Sequence, residues 1–106
     1  MVKRFEVYLV NLDPTVDGKP QTARPCLVVS PDEMNRYLST VIVAPLTSQQ
    51  RDYPTRIPIN FKFKNGQIAL EQLRTVDKMR LIKPLGKVGD KTRQLVLGSL
   101  AEMFTD

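Results

Sequence analysis

Apolar positions in this chain come in short runs parted by polar turns, and their period changes from two to helical only near the C-terminus. From Phe5 to Leu12 the residues alternate, with Phe5, Val7, Leu9 and Asn11 on one side and Glu6, Tyr8, Val10 and Leu12 on the other, which predicts an opening strand. Asp13-Pro14 ends it. The residues from there through Ala23 have turn composition and no core pattern, predicting an exposed loop of about ten residues, a length often reserved for function. Arg24-Pro25 opens a second strand, Cys26 to Ser30, with proline at a first position where a strand tolerates it. Ser30-Pro31-Asp32-Glu33 then supplies an N-cap, a proline at the first helical position and early acids, predicting a short helical turn through Tyr37.

The rest of the chain is organised around Thr40 to Ser48. Val41, Ile42, Val43 and Ala44 form an unbroken, β-branched apolar run that suits a strand covered on both faces. Pro45 interrupts it and belongs at an edge or a bulge, where the following side chains are re-aimed, so that Thr47 and Ser48 leave at a rim. Those hydroxyls either satisfy backbone groups at a strand end or face outward for chemistry. Arg24 likewise stands at a rim, as a solvated charge flanking a hydrophobic strand or as a functional cation.

Gln49 to Pro54 reads as a second polar loop, carrying Arg51 and Tyr53. Thr55 to Lys64 sets Ile57, Ile59, Phe61 and Phe63 against Arg56, Pro58, Asn60, Lys62 and Lys64, giving an apolar core face and a basic outer one. Asn65-Gly66 is a strong turn signal that predicts a hairpin with Gln67 to Leu73. Arg74 to Lys78 reads as a compact turn, and Arg80 to Val88 as a last strand interrupted by Pro84 and Gly86. From Asp90, the predicted N-cap, Val96, Leu97, Leu100, Met103 and Phe104 form a helical stripe that should lie on the sheet. No repeat or linker divides residues 1–106, so one domain is expected. Many short antiparallel strands with a terminal helix predict a small, mainly β barrel rather than a parallel α/β fold.

Composition narrows the function. At 42% hydrophobic and 25% charged residues the chain is an ordinary globular one, and no apolar run approaches the roughly 20 residues that span a bilayer. Glu6 follows so soon after Met1 that no signal-peptide core fits, so no membrane association and a cytoplasmic location are expected. The single cysteine, Cys26, lies in an apolar run and reads as a buried small hydrophobe. A net charge of +5 points toward a polyanionic partner. The chain has no histidine, which excludes Ser-His-Asp and Cys-His machinery and, with one cysteine, leaves zinc too few ligands. Its carboxylates are scattered singly, so neither a resident metal nor a cofactor is expected.

Four segments, in order and at compatible spacing, resemble the MazF/PemK toxins of bacterial toxin-antitoxin systems. They are Val7-Tyr8 with Leu12-Asp13-Pro14, then Arg24 to Val29, then Thr40 to Ser48, and finally Leu70 to Lys78 with Arg80-Leu81. The resemblance implies an SH3-like, CcdB/PemK-type antiparallel β-barrel with short helices and a C-terminal helix, assembled as a symmetric homodimer. It implies metal-independent cleavage of single-stranded RNA to 2′,3′-cyclic phosphate and 5′-hydroxyl ends, with Arg24 and Thr47 as the catalytic pair. It also sets Gln72 close to bound RNA. Lys19, Gln21, Thr22, Ser48, Arg51 and Arg74 are expected to complete the RNA-binding surface with it.

Physical chemistry agrees with that assignment, because a 2′-hydroxyl attacks its own phosphate and asks the enzyme only for orientation and charge stabilisation. Arginine presents a planar fork of donors to a phosphate, and threonine a single hydroxyl. Arginine also keeps its proton at ordinary pH, so the general base stays open. Where the family carries a Gly-Ser-Glu-Gln run in its first loop, this chain has Asp17-Gly18-Lys19-Pro20-Gln21, one residue shorter, and Phe5-Glu6 replaces the usual Gly-Asp. The alternatives are a non-enzymatic CcdB-like gyrase poison on the same fold and a plain RNA-binding barrel. A toxin further implies an antitoxin, expected to lay an acidic disordered tail across the dimer's basic groove in competition with RNA.

Overall fold

A computed structural model of the chain describes residues 1–12, 23–62 and 64–106. Seven strands, β1 (Glu6–Asn11), β2 (Ala23–Val28), β3 (Thr40–Thr47), β4 (Arg56–Phe61), β5 (Lys64–Ala69), β6 (Arg74–Asp77) and β7 (Leu81–Lys87), form one antiparallel sheet. Its order is β4-β5-β3-β2-β1-β7, and β6 pairs with β3. Helix α1 (Asp32–Tyr37) joins β2 to β3, and helix α2 (Asp90–Met103) closes the chain against β4. This is the expected mainly β architecture with short helices and a C-terminal helix. Among the described residues no helix is long and apolar enough to cross a membrane.

The apolar run of β3 is covered on both faces, as its composition predicts. Ala44 packs with Val7, Leu27, Val29, Ile57, Ile68, Leu70, Val88 and Val96 in one core. Val41 and Val43 pack with Val10, Leu12, Cys26, Val28 and Val76 in the other. Strand β1 feeds both, since Val7 and Val10 are each fully buried, and its pairing with β7 is irregular at two points, between Val7 and Tyr8 and between Leu9 and Val10.

Pro45 does not end β3, which runs on to Thr47. The reason lies in the direction of the backbone groups. Ile42 accepts from the Val29 amide and donates to Ser30 Oγ, so Ile42 and its alternates turn their amides toward β2. Pro45 therefore turns its donorless nitrogen to the other side, where β6 stops opposite Val43 and β5 begins opposite Leu46. A missing N–H costs nothing in that gap.

Other expectations are corrected. Asn65-Gly66 is not the hairpin turn: both residues lie within β5, Phe61 already pairs with Lys64, and Lys62 takes the left-handed conformation (φ 54). The expected strand to Leu73 ends at Ala69 and gives way to a single 3-10 turn over Leu70–Gln72. The segment from Arg74 is strand β6 rather than a turn, because the burial of Val76 and pairing with β3 outweigh its polar composition. Ser30 does not cap α1. Its hydroxyl donates to Asn35 Oδ1 at 2.5 Å and accepts from Ile42, tying the helix to β3, while Pro31 takes the cap position. Gly89 rather than Asp90 precedes α2. Of the α2 stripe, Val96, Leu100 and Met103 meet the core, whereas Leu97 and Phe104 stay exposed.

Candidate active site

Strands β2 and β3 bring Arg24 and Thr47 to one place. The ladder pairs Val28 with Val43, Leu27 with Ala44 and Cys26 with Pro45, and continuing that register by two residues sets Arg24 opposite Thr47. Directly opposed residues of an antiparallel pair share a face, so both side chains leave the sheet on the side of Cys26 and Val43. Arg24 Nη2 donates to the Leu46 carbonyl at 3.4 Å, holding the guanidinium across the gap between the strands. Thr47 Oγ1 accepts the Gln49 amide at 3.1 Å, which leaves the hydroxyl proton available to an incoming oxygen.

Arg74 stands opposite Val43 on the same face. Burial pushes the Cys26 thiol up to about 12, and the charges of Arg24 and Arg74 act against that shift. Arg24 and Arg74 thus put two cations on the face that carries the Thr47 hydroxyl, an arrangement suited to an anionic group with several oxygens. On the other side of β3, a depression of ≈ 340 Å³ opens next to Thr47 and Ser48 over Leu46, Ile59, Phe61 and Leu85, and Lys62 and Lys64 also line it. Among the described residues no three carboxylate or cysteine groups gather to hold a metal ion.

The family profile described as PemK-like, MazF-like toxin of type II toxin-antitoxin system matches residues 3–104. The chain belongs to that family. It is 37% identical over 97 residues to Endoribonuclease EndoA of Bacillus subtilis, covering 86% of this chain and 84% of that protein. Among solved structures it resembles an endoribonuclease in complex with its cognate antitoxin from a Mycobacterial species, with TM-score 0.83, 26% identity, and coverage of 96% and 93% of the two chains. The MazE-MazF complex of Deinococcus radiodurans shares the fold, at TM-score 0.79 and 23% identity over 96% of this chain and 94% of that one.

The remaining expected residues of this MazF/PemK-family chain are distributed as follows. Ser48 and Arg51 are exposed on the loop leaving β3, and Gln72 is exposed at the end of the 3-10 turn that packs against β3. Arg74 joins the Arg24 side of the sheet. Lys19, Gln21 and Thr22 lie outside the described residues, as does the altered first loop.

Three site features were not anticipated from the pattern. Arg56, expected on the solvated basic face, is buried: its Nε meets Glu71 Oε2 at 2.6 Å, its guanidinium lies 5.3 Å from the Tyr53 ring centre, and Thr55 Oγ1 donates to the same carboxylate. Burial works to raise the Glu71 pKa, but hydrogen bonds from Arg56, its own backbone and Thr55, with the Arg56 charge, outweigh it and hold the carboxyl below its ordinary value. Gln67 pairs with Thr47 across β3 and β5. Gly66, beside it, lies so near β3 that a β-carbon there would stand 2.7 Å from the Thr47 carbonyl oxygen. The sequence signal for Gly66 was real but pointed to a turn; the glycine serves a close approach of two strands instead.

Proposed function

We propose that this chain is the toxin of a type II toxin-antitoxin pair and acts as an endoribonuclease on single-stranded RNA, with Arg24 and Thr47 as its catalytic residues. The single observation that carries the reading is the shared face of those two side chains at adjacent strand ends, with Arg74 on the same face. The 2′-oxygen attacks the neighbouring phosphorus, the bond from phosphorus to the 5′-oxygen breaks, and the products are a 2′,3′-cyclic phosphate and a 5′-hydroxyl. The 2′ proton leaves to a base and the departing 5′-oxygen takes a proton up. Arg24 spreads its donors over the charge that builds on the nonbridging oxygens, and the free Thr47 hydroxyl proton holds one of them. No step calls on a metal. Ser48, Arg51, Gln72 and Arg74, with Lys19, Gln21 and Thr22 of the first loop, hold the flanking strand, largely through its phosphates.

Residues 1–106 are read as one domain working in the cytoplasm as a homodimer, and its regulator as an antitoxin whose acidic disordered tail competes with RNA for the basic surface. Family membership favours this nuclease over the gyrase poison. Purified protein incubated with mixed-sequence single-stranded RNA in EDTA should yield fragments with 5′-hydroxyl ends. Arg24→Ala and Thr47→Ala should each slow the cut by about 10²-fold or more, the cost of removing one donor to developing charge. Intact RNA, or cutting indifferent to both substitutions, overturns the assignment.

A further inference from the structure

Gln67 does more than pair with Thr47. Its Oε1 accepts the Arg51 amide at 3.1 Å and its Nε2 donates to the Arg51 carbonyl at 3.2 Å, so one side-chain amide bonds both backbone groups of a single loop residue. The carboxamide thereby stands in for a stretch of neighbouring strand at a place where the chain has left the sheet. Gln67 is fixed in turn. Arg56 Nη1 donates to Gln67 Oε1 at 3.2 Å and to the Gln49 carbonyl at 3.0 Å, while its Nε is anchored on Glu71. The loop between Thr47 and Arg56 is thus gripped at Gln49 and at Arg51 by two side chains that emerge from β4 and β5.

We infer that Gln67, braced by Arg56 and Glu71, is a positioning residue that pre-orders the Gln49–Arg51 loop and so presents Arg51 to the RNA strand. The inference rests on the reading of Arg51 as an RNA contact. Without the grip the loop must be ordered when RNA arrives, and that cost falls on binding rather than on the chemical step. Thr47 stays paired with Gln67 through the β3–β5 backbone ladder, which a change of the Gln67 side chain leaves in place, so the cut proceeds once RNA is bound.

The test is a set of steady-state cleavage measurements on Gln67→Leu, Gln67→Glu, Arg51→Ala and the double variant Gln67→Leu/Arg51→Ala, with melting temperature recorded for each. Gln67→Leu, close in size but unable to bond the loop, should raise KM about fivefold and leave kcat within about twofold. Gln67→Glu keeps the acceptor for the Arg51 amide and for Arg56, and should recover most of the affinity. In the Arg51→Ala background Gln67→Leu should add little, because the side chain it presents is gone. A merely structural role would instead lower kcat and melting temperature in both backgrounds and leave the two effects additive, and that result overturns the inference. Should Arg51→Ala leave KM unchanged, the RNA-contact reading falls; should it raise KM while Gln67→Leu does not, the positioning role alone falls.

Discussion

Gly66→Ala is the smallest change that reaches the reaction without touching a reacting group. The new methyl carbon would meet the Thr47 carbonyl oxygen at 2.7 Å, and an ordinary contact starts at 3.4 Å, so strands β3 and β5 must part by 3.4 − 2.7 = 0.7 Å. Glycine 66 is not in a positive-φ conformation, so the whole effect is this clash. Overfilling a packed site costs about 1–3 kcal/mol, and the stiffer unfolded chain returns about 0.4–1 kcal/mol. A net loss near 1–2 kcal/mol lowers the melting temperature by about 4–16 °C in a chain of this size. With Thr47 as the proposed catalytic hydroxyl, the activity should suffer more than the fold, since a displacement of such a group approaching 1 Å can cost about 10²-fold. Single-turnover cleavage of end-labelled RNA well below the melting temperature measures it, with Gly98→Ala as the control. Gly98 sits in α2 with nothing within 4 Å of its missing β-carbon, so that variant should gain up to about 1 kcal/mol and cut normally. Gly66→Ala enzyme that is folded and cuts at the parental rate would refute the link between this contact and Thr47.

Two further predictions concern titration and access. Because the folded Glu71 pKa lies below its unfolded one, its stabilisation is complete above the ordinary glutamate value of about 4.3 and disappears as pH falls from there toward the folded value. Glu71→Gln should flatten the melting temperature against pH in that acidic window, and an unchanged slope would count against the pairing with Arg56. The Cys26 thiol, fully buried and pushed up to about 12, should react with a thiol reagent only in denaturant; rapid labelling of native protein at neutral pH would contradict its burial.

Much of the fold was legible because its strands carry their burial in their spelling. Val41 to Ala44 reads as a strand covered twice, and it is. Arg24 and Thr47 stood out through motif and rim position, and the register adds what no spacing contains, that the proposed pair faces the same way. What escaped was set by tertiary partners. Arg56 looks like any outward-facing cation until Glu71, distant in sequence, arrives to neutralise it. Asn65-Gly66 looks like a turn because local preference is blind to a carbonyl brought in by another strand. Pro45 looks like an edge or bulge residue because the sequence does not say which way its nitrogen turns.

The two halves of β3 answer to different neighbours, β6 up to Val43 and β5 only at Leu46 and Thr47, with a proline at the seam that has no N–H to offer either. The hairpin beside Thr47 is therefore fastened to the central strand by two residue pairs, whereas the hydrophobic middle is clamped along most of its length. Warming should loosen that hairpin, and the core it shares through Ile57 and Ile68, before the second core around Val41 and Val43 gives way, so that RNA cutting fades ahead of the final unfolding.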